Sequence, residues 1–203
     1  MYYLIGSIGA GKSTAASNFR NLITYDEWID ERRPEAAVHE SALPPDKVEE
    51  LNAYFAEQFR KKNFALLEEN EGIHVVDRSP LDPLTFGPPG ERAAKVRALI
   101  EKITDKKSRS IARGHVIELD CDLAEIKFRC SLKHKYWSDA QYEELRENLQ
   151  TVYKGLARTV ICTRGRDASA VAAEIARVIF LTYYNPVDID AELTRIAGAA
   201  DGA

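Results

Sequence analysis

Residues 6–13 read GSIGAGKS, a G-x-x-x-x-G-K-[ST] pattern set directly behind the apolar run YYLI of residues 2–5. Glycine tolerates positive φ, so successive N–H groups in such a stretch can all turn inward and form a nest for an anion. Helix-forming sequence follows from Lys12 and adds the positive end of its dipole. A side chain at Gly9 or Gly11 would obstruct a phosphate chain lying there. Gly6, Ser7, Ile8, Gly9, Ala10, Gly11, Lys12, Ser13 and Thr14 therefore read as a loop that cradles a nucleoside triphosphate. Lys12 neutralises the β- and γ-phosphates, and the Ser13 hydroxyl ligates Mg2+ with Thr14 as its neighbour.

The chain has 203 residues, 45% of them apolar and 30% charged, enough for one substantial core and short for two independent domains. No run of about 18 apolar residues predicts a membrane helix, and no basic-then-apolar leader opens the chain. A net charge of −4 argues against a dedicated duplex-binding surface, leaving a local basic strip open. Cys121, Cys130 and Cys162 lack C-x-x-C spacing, which fits reduced thiols and a cytoplasmic chain. His39, His74, His115 and His134 are scattered without i+4 partners, so zinc is not suggested.

Along the chain, short apolar runs alternate with helical patterns. Strands are expected at Tyr2–Ile5, Leu22–Tyr25, Ile73–Val76 (reaching Asp77), Val116–Leu119 and Thr159–Cys162. Helices are expected over Lys12–Asn21, Asp46–Asn70, Glu91–Lys106, Asp122–Leu132, Asp139–Leu156 and Ala168–Leu181. Val48, Leu51, Phe55, Phe59 and Leu66 recur at helical spacing in the second of these. Residues 27–43 are polar and irregular, and one more short helix is expected after Pro186 before the end frays. Five nearly all-apolar strands between helices imply a parallel sheet covered on both faces.

The loop alone does not select a reaction. There is no N-K-x-D guanine motif, and about 200 residues is small for a motor domain with sensor elements. In a parallel sheet the strand C-termini border the ligand crevice. "VVDRSPLD" (75–82) thus puts Asp77 where it can hold Mg2+ through water and Arg78 where it can reach a phosphoryl acceptor.

On "GSIGAGKST", "VVDRSPLD" and a helix–basic segment–helix before the last strand, the chain resembles the P-loop kinases of nucleosides and nucleotides over most of residues 1–181. "DRS" looks like the E-R-S of deoxynucleoside kinases and the D-R of thymidylate kinases, in which the arginine binds the acceptor end. The resemblance implies an α/β, three-layer P-loop NTPase fold: a five-stranded parallel sheet, helices on both faces and a helical lid. It implies one kinase domain over 1–185, with a substrate-side insert at about 27–70, a lid at about 127–140 and a tail at 186–203. ATP and Mg2+ are the implied cofactors. A small-molecule nucleoside or nucleotide is the implied partner, with no membrane and a homodimer left open.

"TYDEW" (24–28) ends the second strand where many such kinases carry a carboxylate that accepts the proton of the attacking hydroxyl. It is similar to the E-P-V of deoxynucleoside kinases and the R-D-D-Y-R of polynucleotide 5′-hydroxyl kinases. Asp26 is the candidate base, or a helix N-cap, and Glu27 the reserve. Trp28 stacks on a base or closes the core. In "KFRCSLKHKYW" (127–137), Arg129 and Lys133 stand four apart on one expected helix face. Related kinases carry an R-x-x-x-R lid here that stabilises charge on the transferring group; a solvated face is the other reading. "CTRGRD" (162–167) lies where such kinases cradle adenine, with Arg164 stacking on it or simply exposed. The basic stretch 106–115 either touches nucleic-acid phosphate or is a solvated helix end.

Three functions remain open: a kinase of nucleoside-type hydroxyls, a kinase of nucleic-acid hydroxyls (a 5′ end or a hydroxymethylated base), and a nucleotide-dependent switch or ATPase using residues 27–43 as a partner surface.

Overall fold

The structure is a computed structural model that describes residues 1–69 and 71–201. Five strands form one sheet: β1 (Tyr2–Ile5), β2 (Ile23–Tyr25), β3 (His74–Asp77), β4 (His115–Asp120) and β5 (Arg158–Cys162). Their order is β2-β3-β1-β4-β5 and every pairing is parallel. All strand C-termini therefore open on one edge, where the Gly6, Asp26, Arg78, Cys121 and Thr163 segments leave the sheet.

Side chains alternate along β1 and divide the core in two. Tyr2 and Leu4 join Val75, Ile117 and Ile161 beneath α1 (Lys12–Ser17) and α6 (Ala168–Leu181), which contribute Ala16, Val171 and Ile175. Tyr3 and Ile5 face the other way, against α2 (Pro45–Glu68), α3 (Arg92–Ile103) and α5 (Asp139–Val152), with Phe59, Leu66, Val96 and Leu149. The result is the expected three-layer α/β sandwich.

Several boundaries differ from expectation, each for a local reason. α1 stops at Ser17 because Ser17 Oγ and Asn18 Nδ2 both bond the Thr14 carbonyl, competing with the helix ladder. α3 stops at Ile103, before three consecutive left-handed residues, Asp105, Lys106 and Lys107. α4 (Leu123–Ser131) ends before Lys133, so residues 132–138 run as a non-helical strap until Ser138 and Gln141 form the capping box of α5. Asn70, the expected end of the second long helix, and residues 202–203 of the expected frayed end lie outside the described residues.

The chain beyond Pro186 is no loose appendage. Val187 pairs antiparallel with Gly114, and α7 (Ile189–Asp201) packs on α3 with Ile189 and Leu193 fully buried. The segment between β2 and α2 is held down by Gln58, whose Oε1 accepts from the N–H groups of Ile29 and Asp30, both at 2.9 Å. Among the described residues no helix is long and apolar enough to cross a membrane.

Candidate active site

The glycine loop joins β1 to α1 at the sheet's C-terminal edge. Gly6, Gly9 and Gly11 take φ values of 141°, 79° and 103°. A Cβ on Gly9 would lie 2.9 Å from Cys130 Sγ and 3.2 Å from the Ile126 carbonyl, so α4 rests directly on the loop. The first N–H groups of α1 have no acceptor within the helix, as at any helix N-terminus. Lys12 is buried, and its ammonium donates to the carbonyls of Gly6 (2.7 Å) and Ser7 (2.9 Å) across the loop. Burial lowers its pKa to about 8, with Arg78 adding to the effect and Asp77, Asp82 and Glu27 opposing it.

Three pockets open in series along this edge. The central one is lined by Ile8, Gly9, Gly11, Lys12, Ser13 and Thr14 of the loop, by Glu27 and Arg78, and by Cys130, Lys133 and Lys135. On one side it shares Gly9, Gly11, Thr14 and Lys133 with a second pocket walled by Ala15, Arg129, Thr163, Arg166, Asp167 and Val171. On the other it shares Ile8, Glu27, Arg78 and Lys135 with a third, lined by Trp28, Phe55, Phe86 and Trp137 together with Glu40 and Asn52. Together they make one cleft with the glycine loop in the middle and an aromatic chamber at one end.

Under the centre lies a charged cluster in which Glu27, Asp77 and Asp82 are opposed by Lys12, Lys62 and Arg78. Arg78 follows β3 with φ 73°, a left-handed conformation costly for a residue with a side chain and commonest at functional sites. Its N–H bonds the Leu4 carbonyl (3.0 Å), and its guanidinium is held by Glu27 (2.8 Å) and Asp82 (3.2 Å). Burial disfavours its charge, but Glu27, Asp82 and Asp77 together raise its pKa. Glu27 is half-buried, which disfavours its charge, yet Arg78, Lys12 and Lys135 hold its pKa down to about 2. Asp82 is pushed up by burial despite Arg78, Lys12 and a bond from Tyr153 OH.

Asp77 is fully buried and neither carboxylate oxygen has a hydrogen-bond partner among the described residues. Asp77 does not line the central pocket but lies close enough to Lys12 to act on its charge, and an orphaned carboxylate there, with the exposed Ser13 hydroxyl in the pocket, is a donor set of the type that takes a hydrated divalent cation. Of the lid candidates, Arg129 reaches back onto the loop and its neighbours. It donates to the Ala10 carbonyl (3.3 Å), Thr163 Oγ1 (3.1 Å) and the Thr163 carbonyl (2.9 Å), and pairs with Glu125. Lys133 lies beyond the end of α4, so it shares no helix face with Arg129, yet both line the second pocket.

Two expected residues sit elsewhere. Asp26 points away from the cleft, exposed and paired with Arg20 at 2.9 Å; the adjacent Glu27 is the carboxylate that lines it. Arg164 is 72% exposed on Asp122, and Arg166 is the arginine that lines the second pocket. Trp28 packs on Tyr54 and Phe55 and lines the aromatic chamber. The basic stretch 106–115 lies at the opposite edge of the sheet, before the start of β4. Lys106, Lys107 and Arg109 line a separate groove there with Asp190 and Thr194.

Sequence reasoning passes over Lys62, Asp82 and Trp137, and counts Lys135 only among the basic residues of 127–137. For Lys62 a signal existed: it falls in the stripe Phe55, Phe59, Lys62, Leu66, at helical spacing on a face otherwise apolar. Asp82, four residues after Arg78, carried none that separates it from a solvated turn acid.

No protein-family model matches the chain, and no curated protein matches it. Solved structures do. Deoxyadenosine kinase from M. mycoides with bound dATP aligns with a TM-score of 0.60 at 17% identity, over 88% of this chain and 98% of that one. Thymidylate kinase from Candida albicans aligns at 0.59 and 12% identity, over 92% and 96%. Thymidylate kinase from Ehrlichia chaffeensis gives 0.52 and 14%, over 88% and 97%. With its strand order, glycine loop and capping α4, the chain has the fold of the P-loop nucleoside and nucleotide kinases.

Proposed function

We propose that this chain is an ATP-dependent kinase that transfers the γ-phosphoryl group to a hydroxyl of a nucleoside-type acceptor. One observation carries the reading: Glu27 and Arg78 line both the glycine-loop pocket and the aromatic chamber, at the point where donor and acceptor would meet. Trp28, Phe55, Phe86 and Trp137 offer apolar ring faces on which a nucleoside base would stack once the rings part, leaving the sugar hydroxyl toward Glu27. Arg78 is already matched by Glu27 and Asp82, a charge balance that suits a neutral hydroxyl better than a doubly charged phosphate acceptor. The deoxyadenosine kinase neighbour carries a nucleotide, dATP, in agreement with this class of ligand.

In this reading the loop N–H groups and Lys12 hold the triphosphate, while Arg129 and Lys133 cover it. The acceptor hydroxyl gives its proton to Glu27, its oxygen bonds to the γ-phosphorus, and the bond to the β–γ bridging oxygen breaks to release ADP. A carboxylate of low pKa suffices because the transition state is loose and the proton moves late. Mg2+ would be held by Ser13 and, through water, by Asp77, and supplies charge neutralisation at the β- and γ-phosphates. Arg164 has no part in this scheme; Arg166 takes the place beside the donor base.

Labelled ATP offered with nucleosides, nucleoside monophosphates and 5′-hydroxyl oligonucleotides tests it. Label on a nucleoside hydroxyl is expected, with Lys12→Ala lowering turnover on the order of 10³-fold. Label on monophosphates alone, or ATP hydrolysis indifferent to every acceptor, overturns the assignment. Arg78→Ala is expected to raise the acceptor KM about tenfold and to lower kcat as well, since Glu27 loses its partner; unchanged constants would make Arg78 purely structural.

A further inference from the structure

Of the carboxylates of the centre, Glu27 follows the end of β2 and Asp77 closes β3, and the sheet does not hold these two together. The β2–β3 ladder ends at the pair Tyr25↔Val76. Glu27 and Asp77 both lie past it. A side chain from outside the sheet bridges them: Lys62, on α2, is 2% exposed and sends its ammonium to the Glu27 carbonyl (2.8 Å) and the Asp77 carbonyl (3.0 Å).

A lysine among Phe55, Phe59 and Leu66 is costly to bury, and an apolar residue would fill the place at lower cost. Its hydrogen bonds go to backbone carbonyls, and it forms no ion pair within bonding distance among the described residues. The carboxylate of Glu27 is thus left to Arg78, and that of Asp77 stays unpartnered.

The geometry points to Lys62 as a positioning residue, a clamp that sets the Glu27 carboxylate in register with Asp77 and the glycine loop. The inference rests on the kinase reading above. Displacing a reacting group by about 1 Å costs on the order of 10²-fold in rate.

Lys62→Met keeps the length and loses the donors. Its kcat for the hydroxyl acceptor is expected to fall about 100-fold. ATP affinity, measured by direct titration, and acceptor KM are expected to stay within about threefold. The melting temperature is expected to fall by only a few degrees, because the loss of two bonds to buried carbonyls is partly offset by removal of a buried ammonium. Lys62→Ala provides the second readout: propylammonium should restore part of its kcat, whereas propanol, which fills the same space without the charge, should not.

A folded Lys62→Met with wild-type kcat overturns the proposal, and so does equal rescue by propanol. If neither variant folds, Lys62 serves folding and the proposal falls. A wild-type enzyme that labels no hydroxyl acceptor defeats the kinase reading itself and this inference with it, an outcome visible before any variant is made.

Discussion

Glu27→Gln lowers kcat for phosphoryl transfer by on the order of 10² to 10⁴, whereas Asp26→Asn next to it leaves kcat within about twofold. The contrast follows from placement. Glu27 lines the junction between the loop pocket and the aromatic chamber, and Lys12, Arg78 and Lys135 keep it ionised with a pKa of about 2. Its amide analogue has the same shape but cannot accept the proton or balance Arg78. Asp26 is about half exposed and pairs only with Arg20, the kind of surface contact that contributes roughly 0 to 1 kcal/mol. Steady-state kinetics on the two variants, with ATP affinity measured separately, decides between the neighbours. A large loss in Asp26→Asn with none in Glu27→Gln would return the base to Asp26.

The same residue sets a dependence of stability on pH. Glu27 has a folded-state pKa below its unfolded value near 4.3, so its contribution is fully present above that value and is lost as pH falls toward 2. Acid titration of the folded fraction should therefore be shallower between about pH 4 and 2 in Glu27→Gln than in wild type. Parallel curves would mean that Glu27 gains nothing from its cationic neighbours.

Why the sequence pointed to Asp26 can be stated physically. Two acids follow β2, and side chains alternate at the end of a strand, so a shift of one residue decides which faces the cleft. That shift is set by Arg20, which captures Asp26 from six residues upstream, and by Gln58, which ties down Ile29 and Asp30 from α2. Neither partner is visible in local pattern. Arg164 and Arg166 pose the same problem: they flank Gly165, and Asp122 draws the first outward. The expected helix already ends at Leu132, so Lys133 shares the face of Arg129 only if the helix runs one residue further; α4 instead ends at Ser131 and His134 turns left-handed with φ 54°.

What was legible rested on short-range physics. The apolar runs of β1, β3 and β4 are short and well buried, as strands covered on both faces require, whereas β5 at the sheet edge leaves Val160 and Cys162 exposed. The glycine loop carries its chemistry within eight residues, and "DRS" follows a strand end directly. The aromatic chamber was not legible as a unit. Trp28, Phe55, Phe86 and Trp137 come from four separate segments and meet only once α2 and the 132–138 strap are packed.

Gly6→Ala is expected to destabilise the chain by roughly 3 to 5 kcal/mol, far more than any other single methyl added to the loop. Gly6 has φ 141°, a conformation that side-chain-bearing residues rarely adopt, and its new Cβ would lie 2.4 Å from the Leu119 carbonyl oxygen. That oxygen belongs to β4, which is flanked by β1 and β5, so it cannot move aside without breaking the sheet. On the other side Ala10 Cβ is 3.3 Å away and Ala10 is fully buried. Gly9→Ala meets a softer obstacle, the Cys130 sulfur at 2.9 Å, and removing that sulfur in Gly9→Ala/Cys130→Ala should recover part of its loss. Thermal denaturation measures both: for a chain of this size a loss of about 3 kcal/mol lowers Tm by about 10 °C. Gly90→Ala, with nothing within 4 Å of the added carbon, is the control that should leave Tm unchanged. A Gly6→Ala variant as stable as that control would mean that β1 does not enter the loop in this geometry, and the glycine-loop amides would then have to be oriented some other way.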